Sequence, residues 1–339
     1  MASNQTKLFY DIPLSVLDLA PIAEGSNAEQ SFKHSVELAQ HTEKLGFNRY
    51  WLAEHHNMPG IASSATSVII GHIAGATKKI RVGAGGIMLP NHATLVIAEQ
   101  FGTLESLYPG RIDLGLGRAP GSDQATAYAL RRTLNRGAEE FPDQLEELQD
   151  YFEYNTSARV RAIPGEGLKI PIWLLGSSGF SAQLAAQKGL PFSFASHFAP
   201  DYTLPALKLY RENFKPSDVL QEPYSMVGVN VIAADTDEKA QLLATSQQQQ
   251  FLSLIRGTPT QLKPPIENIS EVWSPMEQAH IEKTLDSRST IVGNPETVKR
   301  KLESFIKETN ADEVIINSQI FYQEDRLRSY EIVAELFGK

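Results

Sequence analysis

The chain of 339 residues contains no cysteine. Disulfides, thiolate nucleophiles, iron–sulfur clusters and cysteine-ligated zinc are therefore all excluded. No apolar run approaches the roughly 18 residues that a membrane-spanning helix needs. Between Met1 and Tyr10 no basic stretch leads into an apolar core, so no secretory signal is expected, and a soluble, cytoplasmic protein with no membrane partner is. Positive charge is in deficit as well: 31 Lys and Arg against 40 Asp and Glu leave a formal net charge of −9. That balance opposes binding to nucleic acid, whose phosphate backbone is held by basic patches that release counterions. What the chain does contain is ordinary, with 42% hydrophobic and 21% charged residues, 23 Gly and 19 Pro, as in a folded globular protein rather than a disordered or fibrous one. Its length admits one enlarged domain or two.

Short apolar β-type runs alternate with longer helical patterns. The runs fall at 15–20, 49–53, 80–86, 112–117, 172–175, 192–195, 226–233 and 313–317. Between and after them, 28–45, 64–77, 94–107, 139–152, 178–188, 200–213, 296–307 and 325–336 read as helices. Strict alternation predicts a parallel sheet, and eight repeats predict an α/β fold of the (β/α)8 TIM-barrel type with insertions, one domain over 1–339. A doubly wound sheet would need a glycine-rich fingerprint after its first strand, and Pro21-Ile22-Ala23-Glu24-Gly25 is not one. Residues 256–275 break the rhythm with Pro259, Pro264, Pro265 and Pro275. So long a segment is a candidate lid or insertion loop before the last strand, or else a surface excursion or dimer contact. The glutamines Gln247 to Gln250 are expected on a helix face.

In such a barrel the active site lies at the C-terminal ends of the strands, so polar residues just after each apolar run are the candidates. The second run ends in Glu54-His55-His56, a carboxylate and two imidazoles suited to general acid–base chemistry. A metal is not expected there, because adjacent strand residues point to opposite faces and neither an HxH pair nor an HExxH helix occurs. The third run contains Gly85-Gly86, which either admits a flat ligand close to the backbone or marks a bulge. Arg118 follows the fourth, beside Gly115-Leu116-Gly117, with no nucleotide-binding spacing. After the fifth, Gly176-Ser177-Ser178-Gly179-Phe180-Ser181 opens a helix. Its free N–H groups and hydroxyls make an anion site that, with Arg118, would hold a phosphate monoester, although Ser177 or Ser178 could be a plain N-cap.

Taken in order and spacing, Tyr50-Trp51-Leu52-Ala53-Glu54-His55-His56, the run from Val82 to Pro90, the run from Gly110 to Arg118 and Ala185-Ala186-Gln187-Lys188-Gly189-Leu190-Pro191 resemble the bacterial luciferase-like flavin monooxygenases. The resemblance covers nearly the whole chain. It is greatest to the single-subunit alkanal-monooxygenase-like branch, with Leu327-Arg328-Ser329-Tyr330-Glu331-Ile332 typical of it. It implies a homodimeric barrel that takes reduced FMN from a separate flavin reductase and reacts it with O2 to a C4a-hydroperoxyflavin, which oxygenates a small organic substrate. By the same resemblance His55 is the catalytic histidine, with Glu54 or His56 positioning it, and Arg118, Ser177, Ser178 and Ser181 contact the phosphate. Gly85-Gly86 corresponds to a non-prolyl cis peptide beneath the flavin ring. The chain departs from luciferase at Ser177, where luciferase has glutamate, and at Gly117, where it has a reactive cysteine. Residues 256–275 coincide with the mobile lid. Relatives that transfer hydride with deazaflavin F420 are the alternative within enzymes, and a non-catalytic flavin-binding protein is the alternative outside them. A Schiff-base aldolase is disfavoured, because Lys79 and Lys169 precede their strands.

Overall fold

In a closed parallel sheet one strand residue faces the barrel interior and the next faces the helices outside. The computed structural model, which describes residues 9–118, 124–131, 138–286 and 288–338, follows that rule. Its strands are β1 (Leu14–Asp18), β2 (Arg49–Leu52), β3 (Arg81–Met88), β4 (Ile112–Gly117), β5 (Ile172–Gly176), β6 (Phe192–Phe194), β7 (Ser225–Ala233), β8 (Thr290–Gly293) and β9 (Glu313–Asn317). Every pairing is parallel, and the ring β1-β2-β3-β4-β5-β6-β7-β9 closes through β9 onto β1. The (β/α)8 barrel expected from the alternation is therefore the fold.

The ninth strand was not expected. The nine residues of β7 outrun the barrel: Met226 to Asn230 pair with β9, and Asn230 to Ala233 pair with β8, which lies outside the ring. At four residues, Thr290-Ile291-Val292-Gly293 is too short to stand out in a sequence.

The helices are α1 (Ala28–Lys44), α2 (Thr66–Ala76), α3 (Thr94–Leu107), α4 (Gln124–Arg131), α5 (Phe141–Phe152), α6 (Gly179–Lys188), α7 (Thr203–Glu212), α8 (Asp237–Ile255), α9 (Pro275–Thr284), α10 (Pro295–Thr309) and α11 (Gln323–Leu336). Asn27, Thr236 and Asn294 cap α1, α8 and α10, and Ser274 with Glu277 forms a capping box on α9. The four glutamines lie in α8. Among the described residues no helix is long and apolar enough to cross a membrane.

Side chains inside the ring stack in layers. At the bottom, Arg49 donates through Nη1 to Asp113 at 2.7 Å and through Nε to Glu313 at 3.0 Å, while Arg81 donates to the second Asp113 oxygen at 2.6 Å. Ser15, Asn48 and Tyr224 also donate to Glu313, and the indole of Trp51 donates to Asp113 at 3.1 Å. Both carboxylates are fully buried, and each has the several donors that a buried charge requires. Burial opposes the charge on Arg49, but Asp113 and Glu313 outweigh it and raise its pKa. Above lies an apolar layer of Leu17, Trp51, Trp173, Met226 and Ile315, with the two indoles edge to face at 5.2 Å.

Outside the ring, buried Asp18 of β1 fastens two helices. Its Oδ1 accepts from Arg326 of α11 at 2.8 Å, and its Oδ2 accepts from Ser35 of α1 at 2.6 Å and from the Tyr50 hydroxyl. Burial would raise the pKa of Asp18, but Arg326 and these donors bring it below the ordinary carboxylate value. Removing one partner of a buried pair strands the other charge, so Arg326→Met is expected to destabilise the protein by about 3–5 kcal/mol in urea unfolding. The double variant Asp18→Asn with Arg326→Met should recover part of that loss. Wild-type stability in the single variant would show that Asp18 does not depend on Arg326.

Candidate active site at the barrel mouth

A cavity of about 390 Å³ opens at the C-terminal ends of the strands. Glu54, His55, Gly85, Gly86, Arg118, Ser177, Ser178 and Ser181 all line it, and His56 does not. Two glycines empty its β3 wall. The β3–β4 register shifts between Ala84 and Ile87, and the Gly85–Gly86 peptide is cis. A Cβ at Gly85 would come 2.8 Å from Leu17, and one at Gly86 would come 2.7 Å from the Gly115 carbonyl oxygen. At Gly86 the obstacle is backbone, so a side chain there could not be accommodated without moving β4. The irregularity offered by the sequence is present, and the group that comes close to Gly86 is the backbone of β4.

At the next wall, α6 begins with Ser178 in the N-cap position, yet its hydroxyl takes no bond from the helix's own N–H groups. That geometry differs from a plain side-chain cap, and it leaves the first-turn donors and the positive end of the helix facing the cavity. Ser181 is buried beside them, and the Arg118 guanidinium stacks on the Phe180 ring at 4.2 Å. Hydroxyls, free N–H groups and a guanidinium lining one cavity are the kinds of group that hold a phosphate dianion.

Glu54 anchors a separate cluster in the wall. Its Oε1 lies 2.8 Å from His56 Nε2 and 2.9 Å from His92 Nε2, and its Oε2 accepts from the Met88 N–H at 3.1 Å. Burial would raise the pKa of Glu54, but these donors, His92 foremost, lower it, so each imidazole donates to a carboxylate. The expectation of no metal rested on adjacent residues, whereas Glu54 and His56 are two apart and His92 joins them, all three ligand-type groups within 4.8 Å. At 2.8 and 2.9 Å the two imidazoles and the carboxylate form a hydrogen-bonded triad. His56 thus faces Glu54 rather than the cavity. His92, which the sequence reading missed, follows the third strand just as Glu54 follows the second.

His55 points the other way, with its Nδ1 buried and unpartnered. Burial lowers its pKa, and Glu54 offsets this only in part. Across the cavity is a second imidazole, His197, also missed, although the rule of reading polar residues after each apolar run would have found it behind β6. Its Nδ1 is likewise unpartnered and lies against Gly228, where an added Cβ would come within 2.3 Å of it. Burial, with a contribution from His55, pulls its pKa down to about 4.

The 256–275 segment closes one side. Leu262 lines the cavity, and its backbone bonds Ile22 and Glu24 at 2.9 and 2.8 Å. Gln249 of α8 donates to the Pro264 carbonyl at 2.9 Å. A Cβ on Gly60 would come within 2.3 Å of the Thr260 oxygen, so a glycine is required for the segment to seat.

A family model described as luciferase-like monooxygenase matches residues 12–313. The chain is 63% identical over 339 residues to the uncharacterized protein YvbT of Bacillus subtilis (strain 168), with 99% of each chain covered. It is 56% identical over 326 residues to a luciferase-like monooxygenase of Escherichia coli (strain K12), with 96% of this chain and 97% of the relative covered. Of solved structures it is similar to apo-MsnO8, with a TM-score of 0.90, 35% identity and coverage of 96% and 98%.

The state of His197 has a consequence for stability. Folded, it stays neutral down to about pH 4, whereas in the unfolded chain it protonates near ~6.5. Between those values the unfolded state binds more protons, so this contribution is complete above pH ~6.5 and is lost as pH falls towards 4. At ~1.36 kcal/mol per unit, it amounts to at most about 3 kcal/mol. Urea unfolding at pH 7 and pH 4.5 should show a smaller acid loss in His197→Gln than in wild type, and equal losses would contradict a buried neutral imidazole.

Proposed function

This chain belongs to the luciferase-like monooxygenase family, and from that premise we propose that it is an FMN-dependent monooxygenase acting on a small organic substrate in the barrel-mouth cavity. The observation that carries this reading is the uncapped start of α6 beside Arg118, set against a cavity wall emptied of side chains at Gly85 and Gly86. A volume of about 390 Å³ is within the range of cofactor and ligand pockets. Arg118, Ser177, Ser178 and Ser181 would hold the phosphate of FMN, and the Gly85–Gly86 backbone would receive its flat ring. FMN is favoured over F420 because the 56% identical relative is named a monooxygenase, while deazaflavin relatives transfer hydride. Reduced FMN, when bound, supplies the two electrons with which O2 yields one oxygen atom for the substrate and one for water.

The protein's share is positioning, proton handling and exclusion of water. His55, neutral at pH 7, holds or accepts a proton at the cavity, and the Glu54 triad fixes the backbone beside it. Phe251, Leu254 and Leu262 keep water out, with 256–275 acting as the lid. The sequence has no nicotinamide-binding fingerprint, so reduced FMN comes from a separate reductase. Exposed Val68 on α2 and Val96 and Leu107 on the adjoining α3 give a homodimer its apolar face.

Fluorescence titration tests the cofactor assignment. Wild type should bind FMN at least ~10-fold more tightly than riboflavin, which lacks the phosphate, and Arg118→Ala should abolish that preference. An equal affinity for riboflavin, or tighter binding of F420 than of FMN, would overturn it.

A further inference from the structure

β9 stands opposite β4 in the ring of eight, across the cavity from Arg118, and the groups on that side are not used by the function proposed above. Asn230 of β7 and Asn317 of β9 are register partners, and both line the cavity. Asn230 spends both amide hydrogens, one on the His197 carbonyl at 2.8 Å and one on Thr290 Oγ1 at 3.1 Å. Its Oδ1 must then face Asn317, whose Nδ2 donates to it at 2.8 Å. Asn317 is only 4% exposed, and its own Oδ1 is a buried acceptor without a partner.

Two residues back along β7, on the same inward face, Gly228 makes room for the His197 ring. No acceptor reaches His197 Nδ1, so a proton there would be stranded, and the ring proton belongs on Nε2, the edge away from Gly228. Two residues that line one cavity therefore hold an unmatched acceptor, on Asn317, and an unmatched donor, on His197. Buried polar groups left unpaired are unfavourable, and a ligand that completes them gains specificity. Among the described residues lining the cavity, the only carboxylate or guanidinium groups are Glu54, which is engaged in its triad, and Arg118. A charged ligand group on this side would lack a counter-charge.

We propose that Asn317 and His197 form a subsite for a neutral amide edge, the ligand's N–H donating to Asn317 Oδ1 and its C=O accepting from His197 Nε2. Such an edge, with N–H and C=O side by side, belongs either to a lactam in the substrate or to the imide of the flavin pyrimidine ring. The inference rests on the reading of this cavity as the chamber for flavin and substrate.

The test compares ligands that differ only in that N–H. In wild type, 2-piperidone is measured against N-methyl-2-piperidone by saturation-transfer NMR, with and without FMN, and FMN is measured against 3-methyl-FMN by fluorescence quenching. At least one pair should favour the N–H form by ~10-fold, with the discriminating pair identifying the source, and Asn317→Leu should erase the preference. Equal binding within both pairs, or a preference that survives in Asn317→Leu, would overturn the proposal. The wild-type comparison requires no variant to fold, and Asn317→Ser provides a milder substitution. Failure of FMN to bind at all would instead sink the cofactor assignment while leaving the amide pair readable.

Discussion

The pairing of Arg49 with Asp113 and Glu313 is the constraint around which the rest of the barrel is arranged. An eight-stranded ring encloses a volume that side chains must fill. Here the lower half is filled by charge, and a guanidinium with two carboxylates survives there only because Arg81, Ser15, Asn48, Trp51 and Tyr224 complete the bonding. Gly83 is part of the same arrangement, since a Cβ on it would come within 2.7 Å of the Asp113 side chain. The indoles of Trp51 and Trp173 roof this layer, and Arg49 lies over the Trp173 ring at 4.8 Å. A floor tied together in this way resists collapse, so glycines at the upper strand ends can leave a lasting space.

Much of this architecture is legible in the sequence, because buried parallel strands must be near-continuous apolar runs and the helices between them must be amphipathic. The barrel and its closure follow from counting those runs. The strand Thr290–Gly293 does not, because a four-residue run carries too little periodicity and its partner is the tail of a strand already assigned. Asp18 and Glu313 could not be assigned partners either. The residues that satisfy them lie as far away as Arg326 and Asn48, and only the closed ring brings them together.

The candidate site divides along the same line. Groups carried by local segments, Glu54 and His55 after β2, the two glycines of β3, and Arg118 with the serines at the start of α6, were named from sequence and do line one cavity. Groups whose importance depends on a partner from elsewhere were not named. Nothing in Pro90-Asn91-His92 signals that its imidazole reaches Glu54, and nothing in Ser196-His197-Phe198 signals that Gly228, on another strand, has vacated the space for the ring. His55 lines the cavity and His56 does not, for a physical reason. Consecutive residues leaving a strand point apart, and so one enters the cavity while the other turns back to the carboxylate.

The double partnership of β7 also bears on how such a molecule can diversify. The chain leaves β7 at Ala233, runs through α8, the proline-rich segment and α9, and returns as β8 to the same strand before β9 completes the ring. The whole excursion therefore starts and finishes on one rib of the cylinder. It can lengthen, shorten or change sequence without altering the register of any of the eight staves. One part of the molecule can thus vary its grip on small molecules while the cask beneath it stays the same.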